Sequence, residues 1–252
     1  MLAGCSTGNS GEEAQSESQN SGKVMILYTS DMHCGIAEGF GLAGLQAVRE
    51  NLEAKGYATI LVDDGDAIRV QLDADIGICG GANVRSCIDK GDITYEKILE
   101  VFPFNNEMCV IDVTGQQILD ALEWGSYKLP GEFGGFLQVS GLTYEIDVSV
   151  PSPCTKDEEG MFAGISGERR VRNVTVGCKP LDPEAIYSLA GQDFHLLNHG
   201  DGFTMFDGAS NVITTGRLDS EVLSDYIKDT LGGEIGVEYT DPYGQGRITI
   251  IQ

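Results

Sequence analysis

The sequence predicts an α+β chain, and three observations carry that reading. A β-α-β pattern occupies residues 23–68. From residue 69 short apolar runs alternate with glycine-rich turns and amphipathic stretches, the texture of a mixed sheet with helices. A hydrophobic content of 41% over 252 residues is enough for a real core in one large or two modest domains.

Residues 1–22 read as a lipoprotein-type N-terminus followed by a tether. "LAGC" at 2–5 has the small-residue pattern of a bacterial lipoprotein cleavage site, with Cys5 as the lipid-bearing residue. Only Met1 stands before Leu2, where a basic stretch and an apolar run would precede such a site, so the start lies too far downstream or the pattern is chance. The polar tract "STGNSGEEAQSESQNSG" cannot bury enough apolar surface to offset its ordering entropy and reads as flexible.

"KVMILYTS" is a continuous apolar run that suits a strand buried on both faces. Leu42, Leu45, Val48 and Leu52 form one helical stripe, with Gly56 as its stop. "YATILVDDGD" reads as a second buried strand ending in acids. Open α/β sheets place ligands beyond the carboxyl ends of their strands, so Asp31, His33, Asp64 and Asp66 are expected to converge on one edge. An Asp and a His two apart can ligate one cation together, and an Asp from the neighbouring strand can bridge to a second.

In 69–252 the glycine-rich turn leads to a short helix before Pro103, and "NEMCVIDV" is a strand. Thr114 with Gln117 three residues on predicts a capping box opening a helix. Further strands are expected at 136–149, 168–178, 186–191 and 246–251, and a helix at about 219–231 with Leu223, Tyr226, Ile227 and Leu231 inward. His195 and His199 have ligand spacing for one helix face, but Asn198 and Gly200 take the chain out of the helix, which leaves both as ordinary loop residues.

The net charge of −23 repels phosphate backbones and anionic headgroups and argues against nonspecific nucleic-acid binding. No apolar run reaches the roughly 18 residues that span a bilayer. The seven cysteines contain no CxxC, which excludes zinc-ribbon and thioredoxin readings. With Cys5 set aside as a lipid site six remain; Cys79 and Cys109 read as buried thiols. Cys154 and Cys178, at the ends of strand-like segments, are expected to form a disulfide contributing about 3 kcal/mol by loop closure.

"ILYTSDMH", "LVDDGDA", "GGANVR…GDITYEKILEVFPFNN", "GGFLQVSGLTYEID" and "NHGDGFTMF", in that order, resemble the bacterial 5′-nucleotidase and UDP-sugar hydrolase family. The resemblance implies hydrolysis of extracytoplasmic nucleotides at two divalent metals, zinc, manganese or magnesium, in a metallophosphatase domain, and a C-terminal domain that holds the nucleoside. Asp31 and His33 match the family's first metal element and Asp66 its second. Its later N-H-[DE], lone His and G-H-x-H elements have no counterpart, roughly two hundred residues by ordinary domain sizes. The resemblance thus implies a truncated metallophosphatase β-α-β at 23–68, joined at Ile68 and Arg69 to a C-terminal domain at 69–252. It further implies no catalytic histidine, impaired hydrolysis, and exposed strand edges that would favour dimer pairing.

On the nucleoside side Arg85 matches the family arginine that meets the substrate, and Phe104 and Phe203 match the two rings that sandwich the base. Asn106 matches a polar position near the base, and Asp201 and Gly202 belong to the N-x-G-D-G-[FY] turn; Asp207 is the nearest acid for a ribose contact. The family's Asn before its glycines is Gly80 here. The alternatives are a non-catalytic nucleoside- or nucleotide-binding module and a deletion product without function.

Overall fold

The computed structural model describes residues 23–26, 57–60, 64–86, 88, 91–235 and 246–251. Strands β1 (Lys23–Ile26) and β2 (Tyr57–Ile60) pair in parallel, from Lys23↔Tyr57 to Ile26↔Ile60. Parallel neighbours need a crossover connection, in keeping with the β-α-β reading. The crossover, with Asp31 and His33, lies outside the described residues.

Helix α1 (Asp64–Gln71) follows. The "DGD" that reads as the acidic end of a strand instead opens this helix, which runs unbroken across Ile68 and Arg69. Ala67 and Ile68 are buried in an apolar cluster with Val222 and Leu223, so tertiary burial stabilises a turn that the local signal did not announce.

Strand β3 (Ile76–Gly80) runs into a single 3₁₀ turn at Gly81–Asn83. Then come α2 (Tyr95–Val101), capped by the Thr94 hydroxyl, and β4 (Glu107–Thr114). Helix α3 (Gly115–Gly125) opens on the expected capping box: Gln117 N donates to Thr114 Oγ1 at 3.2 Å and Thr114 N donates to Gln117 Oε1 at 2.9 Å. Strands β5 (Leu137–Ser140), β6 (Leu142–Asp147), β7 (Cys154–Lys156), β8 (Phe162–Ile165), β9 (Val171–Val176), β10 (Lys179–Pro180) and β11 (Ile186–Gln192) follow. After the short α4 (Asp193–Leu196) come β12 (Ser210–Leu218), α5 (Asp219–Asp225) with a π turn at Tyr226–Thr230, and β13 (Ile248–Ile251).

Five strands form the main sheet in the order β12-β4-β11-β3-β5, antiparallel except for the parallel pair β11 and β3. Four form a second sheet, β10-β9-β6-β13, and β7 and β8 make a hairpin. Successive residues of β4 point to opposite faces of the main sheet. Cys109, Ile111 and Val113 join a core with Leu122, Trp124 and Ile146, while Met108 joins the cluster formed by α1, α2 and α5. The main sheet is therefore apolar on both faces. The chain passes between the sheets at Gly141, where φ is +81° and a Cβ would stand 2.1 Å from the Asp75 carbonyl oxygen, so only glycine fits. Leu223, Tyr226 and Ile227 are buried as their spacing predicted.

The expected bond between Cys154 and Cys178 is not formed; both are thiols. Cys154 lies on the β7–β8 hairpin and Cys178 in the exposed turn after β9, so the strand ends expected to be neighbours serve different sheets. Burial pushes the Cys154 thiol up to about 11 and the Cys109 thiol up to about 12. Among the described residues no helix is long and apolar enough to cross a membrane.

Candidate functional site

Strand register gathers five chain segments at one edge of the main sheet. β3 and β11 are parallel (Leu189↔Ile76), so both end there. β4 begins there, opposite the end of β11 (Gln192↔Met108), as does β5, opposite the end of β3 (Gly80↔Leu137). β12 ends there, at Leu218↔Glu107. Arg85 follows β3, Phe104 and Asn106 precede β4, Asp201, Gly202 and Phe203 follow β11 and α4, and Asp219 follows β12.

Behind this edge runs a buried chain of side-chain hydrogen bonds. Asn106 Nδ2 donates to Asp219 Oδ2 at 3.0 Å and Gln192 Nε2 donates to the same oxygen at 3.4 Å. Asn83 Nδ2 donates to Gln192 Oε1 and stands 3.5 Å from His195 Nδ1. His195 Nε2 meets Asp201 Oδ2 at 3.1 Å. Asn83, Gln192, His195 and Asp219 are all at most 5% exposed. An amide N–H only donates, so the network assigns Nδ1 as acceptor and puts the imidazole proton on Nε2, donated to Asp201. Burial raises the Asp219 carboxyl above its ordinary value, opposed by the hydrogen bonds from Asn106, Ser220 and Gln192.

Two phenylalanine rings stay open to solvent near this edge. Phe104 is 54% exposed, with the Arg85 guanidinium carbon 5.8 Å from its centroid. Phe194 is 38% exposed and lies along Gly200, where a Cβ would fall 2.4 Å from the ring. Phe203, expected to stack on a base, is fully buried: its ring lies 5.3 Å from His195, edge-to-face, and 6.2 Å from Phe206, stacked. The reason is the preceding turn. His199 (φ 55°), Asp201 (φ 54°) and Gly202 (φ 86°) are left-handed and send Phe203 into the core. Gly202 is itself buried, and a Cβ there would stand 2.8 Å from the Trp124 ring, whose Nε1 donates to the Asp201 carbonyl at 2.9 Å. Asp207 pairs with His199 Nε2 at 2.6 Å. α4 ends at Leu196, so His195 and His199 share no helix face, as expected.

Asn83, Gln192, Phe194 and Asp219 do not stand out in the sequence, and His195 reads there as an ordinary loop residue. The available signal was position: Gln192 closes β11, Asp219 directly follows β12, and Asn83 lies three residues past β3.

Asp66 is committed to protein donors. Its Oδ2 accepts from Arg247 Nη2 at 2.6 Å and its Oδ1 from Ser140 Oγ at 2.5 Å. A divalent metal at this carboxylate would have to displace a guanidinium. Among the described residues no three His, Cys, Asp or Glu side chains come together as a ligand group.

Residues 61–208 match the family model of the 5′-nucleotidase C-terminal domain. Protein UshA of Salmonella pullorum is 25% identical over 210 residues, 83% of this chain and 32% of that protein. An apyrase of Tabanus yao is 32% identical over 182 residues, 70% of this chain and 30% of the apyrase. The chain thus spans about a third of the length of these relatives. Among solved structures, the 5′-nucleotidase precursor from Thermus thermophilus superposes with a TM-score of 0.60 at 34% identity, over 75% of this chain and 34% of that one.

Proposed function

The chain belongs to the 5′-nucleotidase family through that family's C-terminal domain, and from this premise we propose that its main-sheet edge binds the nucleoside part of a nucleotide. The observation that supports this most is the supply, from segments meeting at one edge, of two open rings, a guanidinium and a carboxylate: Phe104, Phe194, Arg85 and Asp201. A base stacked on an aromatic ring gains about 1–3 kcal/mol. Phe194 takes the role in which Phe203 cannot serve. The planar fork of Arg85 suits phosphate or ribose oxygens, and the Asp201 carboxylate suits a pair of ribose hydroxyls. Asn106, its amide nitrogen held by Asp219, keeps an oxygen for a donor on the ligand.

In this reading the chain serves nucleotide catabolism outside the cytoplasm, with Cys5 as a lipid attachment point, and the described domain holds the substrate. Phosphoryl transfer at a divalent metal would fall to Asp31 and His33, and they with Asp66 supply few ligands for two ions. Isothermal calorimetry of the full chain with adenosine and adenosine monophosphate tests the binding site. Phe104→Ala and Phe194→Ala are each expected to weaken binding by roughly tenfold, and unchanged affinity in both would refute it.

The second reading, a non-catalytic binding module, is favoured by the capture of Asp66 by Arg247. Phosphate release from adenosine monophosphate with manganese separates the two. Release near background, unchanged by His33→Ala, supports the module; turnover of about 1 s⁻¹ or more, abolished by His33→Ala, supports the enzyme.

A further inference from the structure

We infer that His195 is the positioning residue that holds Asp201 toward ligand hydroxyls, and that the absence of a side chain at Gly80 makes room for it. The inference rests on the nucleoside reading above. Gly80, the last residue of β3, has φ −71° and ψ 137°, a conformation open to any residue, so its backbone does not call for glycine. The space does: a Cβ there would stand 2.4 Å from His195 Cε1 and 2.7 Å from Nε2. The imidazole fills the volume that any other side chain at position 80 would claim.

The ring is 1% exposed and held edge-to-face by Phe194 at 4.9 Å and Phe203 at 5.3 Å. Packed in this way it has little rotational freedom, and Asn83 at Nδ1 fixes the tautomer that donates from Nε2. The single outward connection of this buried group is to Asp201, whose side chain is 29% exposed. The Asp201 backbone is fixed as well, with its carbonyl bonded to the Trp124 indole. One carboxylate oxygen is thus occupied by the imidazole, and the other, with no donor among the described residues, is left for a ligand. The hydrogen-bond chain begins at Asn106, so both ends of one buried relay are groups that the nucleoside reading assigns to the ligand.

The test compares adenosine with 2′,3′-dideoxyadenosine, which lacks the hydroxyls, by calorimetry on the full chain. Wild type is expected to prefer adenosine by about tenfold, the worth of a hydrogen bond to a charged group. His195→Leu is expected to remove that preference while leaving dideoxyadenosine affinity within about twofold, which a loss of general packing would not do. His195→Gln, whose amide nitrogen reaches toward Asp201, is expected to keep most of the preference. Gly80→Ala should reproduce the leucine variant, and Gly80→Ala combined with His195→Ala should be no worse than His195→Ala alone, because the methyl then enters vacated space. The double variant carries the test if His195→Leu fails to fold. Equal losses for both ligands in His195→Leu, or a preference retained in Gly80→Ala, would overturn the inference alone. Failure of wild type to bind either ligand would overturn the nucleoside reading, and this inference with it.

Discussion

Replacing Arg247 with alanine is expected to destabilise the domain by about 3 kcal/mol, the lower end of the 3–5 kcal/mol typical for one partner of a buried ion pair. The side chains of Arg247 and Asp66 are 13% and 11% exposed, so the pair is nearly but not wholly removed from water. Without the guanidinium, Asp66 keeps, among the described residues, only the Ser140 hydroxyl, itself shared with Arg69 Nε at 2.9 Å. Arg247 Nη1 also donates to the Val139 carbonyl at 3.0 Å, so the cut loosens β5 as well as α1. The cost is chiefly that of an orphaned carboxylate, and Asp66→Asn combined with Arg247→Ala should recover most of it. Urea unfolding at fixed pH, with midpoints compared at constant slope, measures both variants. A single-variant loss below about 1 kcal/mol, the value of an exposed bridge, would refute the reasoning. A double variant less stable than the single would refute it too.

Phe203→Ala is expected to lose about 3–5 kcal/mol in thermal or urea melts, since a core ring is deleted; a loss under about 1 kcal/mol would place the ring outside the core. Thr114→Ala should cost about 1 kcal/mol by removing the cap of α3, read from the same urea curves. For Asp219, burial raises the folded-state value, so the folded chain holds that proton more tightly than the unfolded one. Its stabilising contribution is full below the ordinary 3.8 and is lost as pH rises through the folded value. Stability of wild type relative to the non-titrating Asp219→Asn should therefore fall as pH rises from below 3.8 and then level off. A relative stability that climbs with pH would reverse the sign and refute the assignment.

Local signals in the sequence were legible. The Thr114 and Gln117 box, the inward stripe of Leu223, Tyr226 and Ile227 and the exit from helix before His199 each depend on a few neighbouring residues, and the structure shows all three. What depended on distant partners was not. Helix α1 is tied by Asp66 to an arginine 181 positions away, and nothing near "DGD" announces that partner. Phe104 and Phe203 look alike in sequence, yet the second ring follows the left-handed residues His199, Asp201 and Gly202 and is buried, while the first stays open. Asn83, Gln192 and Asp219 acquire a role only when strand register places three separate segments side by side. The cysteine pairing failed for the same reason, because sheet membership is not written at a strand's end.

Trp124 is the only tryptophan among the 252 residues, and it donates its indole proton to the carbonyl of Asp201. The indole fluorescence of the protein therefore comes from one ring at 1% exposure, joined to the turn that carries the carboxylate of the candidate site. Its emission should be blue-shifted in the native chain and move to the red on unfolding, as a buried indole enters water. Any ligand that draws on Asp201 should alter the same signal through a single hydrogen bond, so the chain carries its own optical probe at the turn.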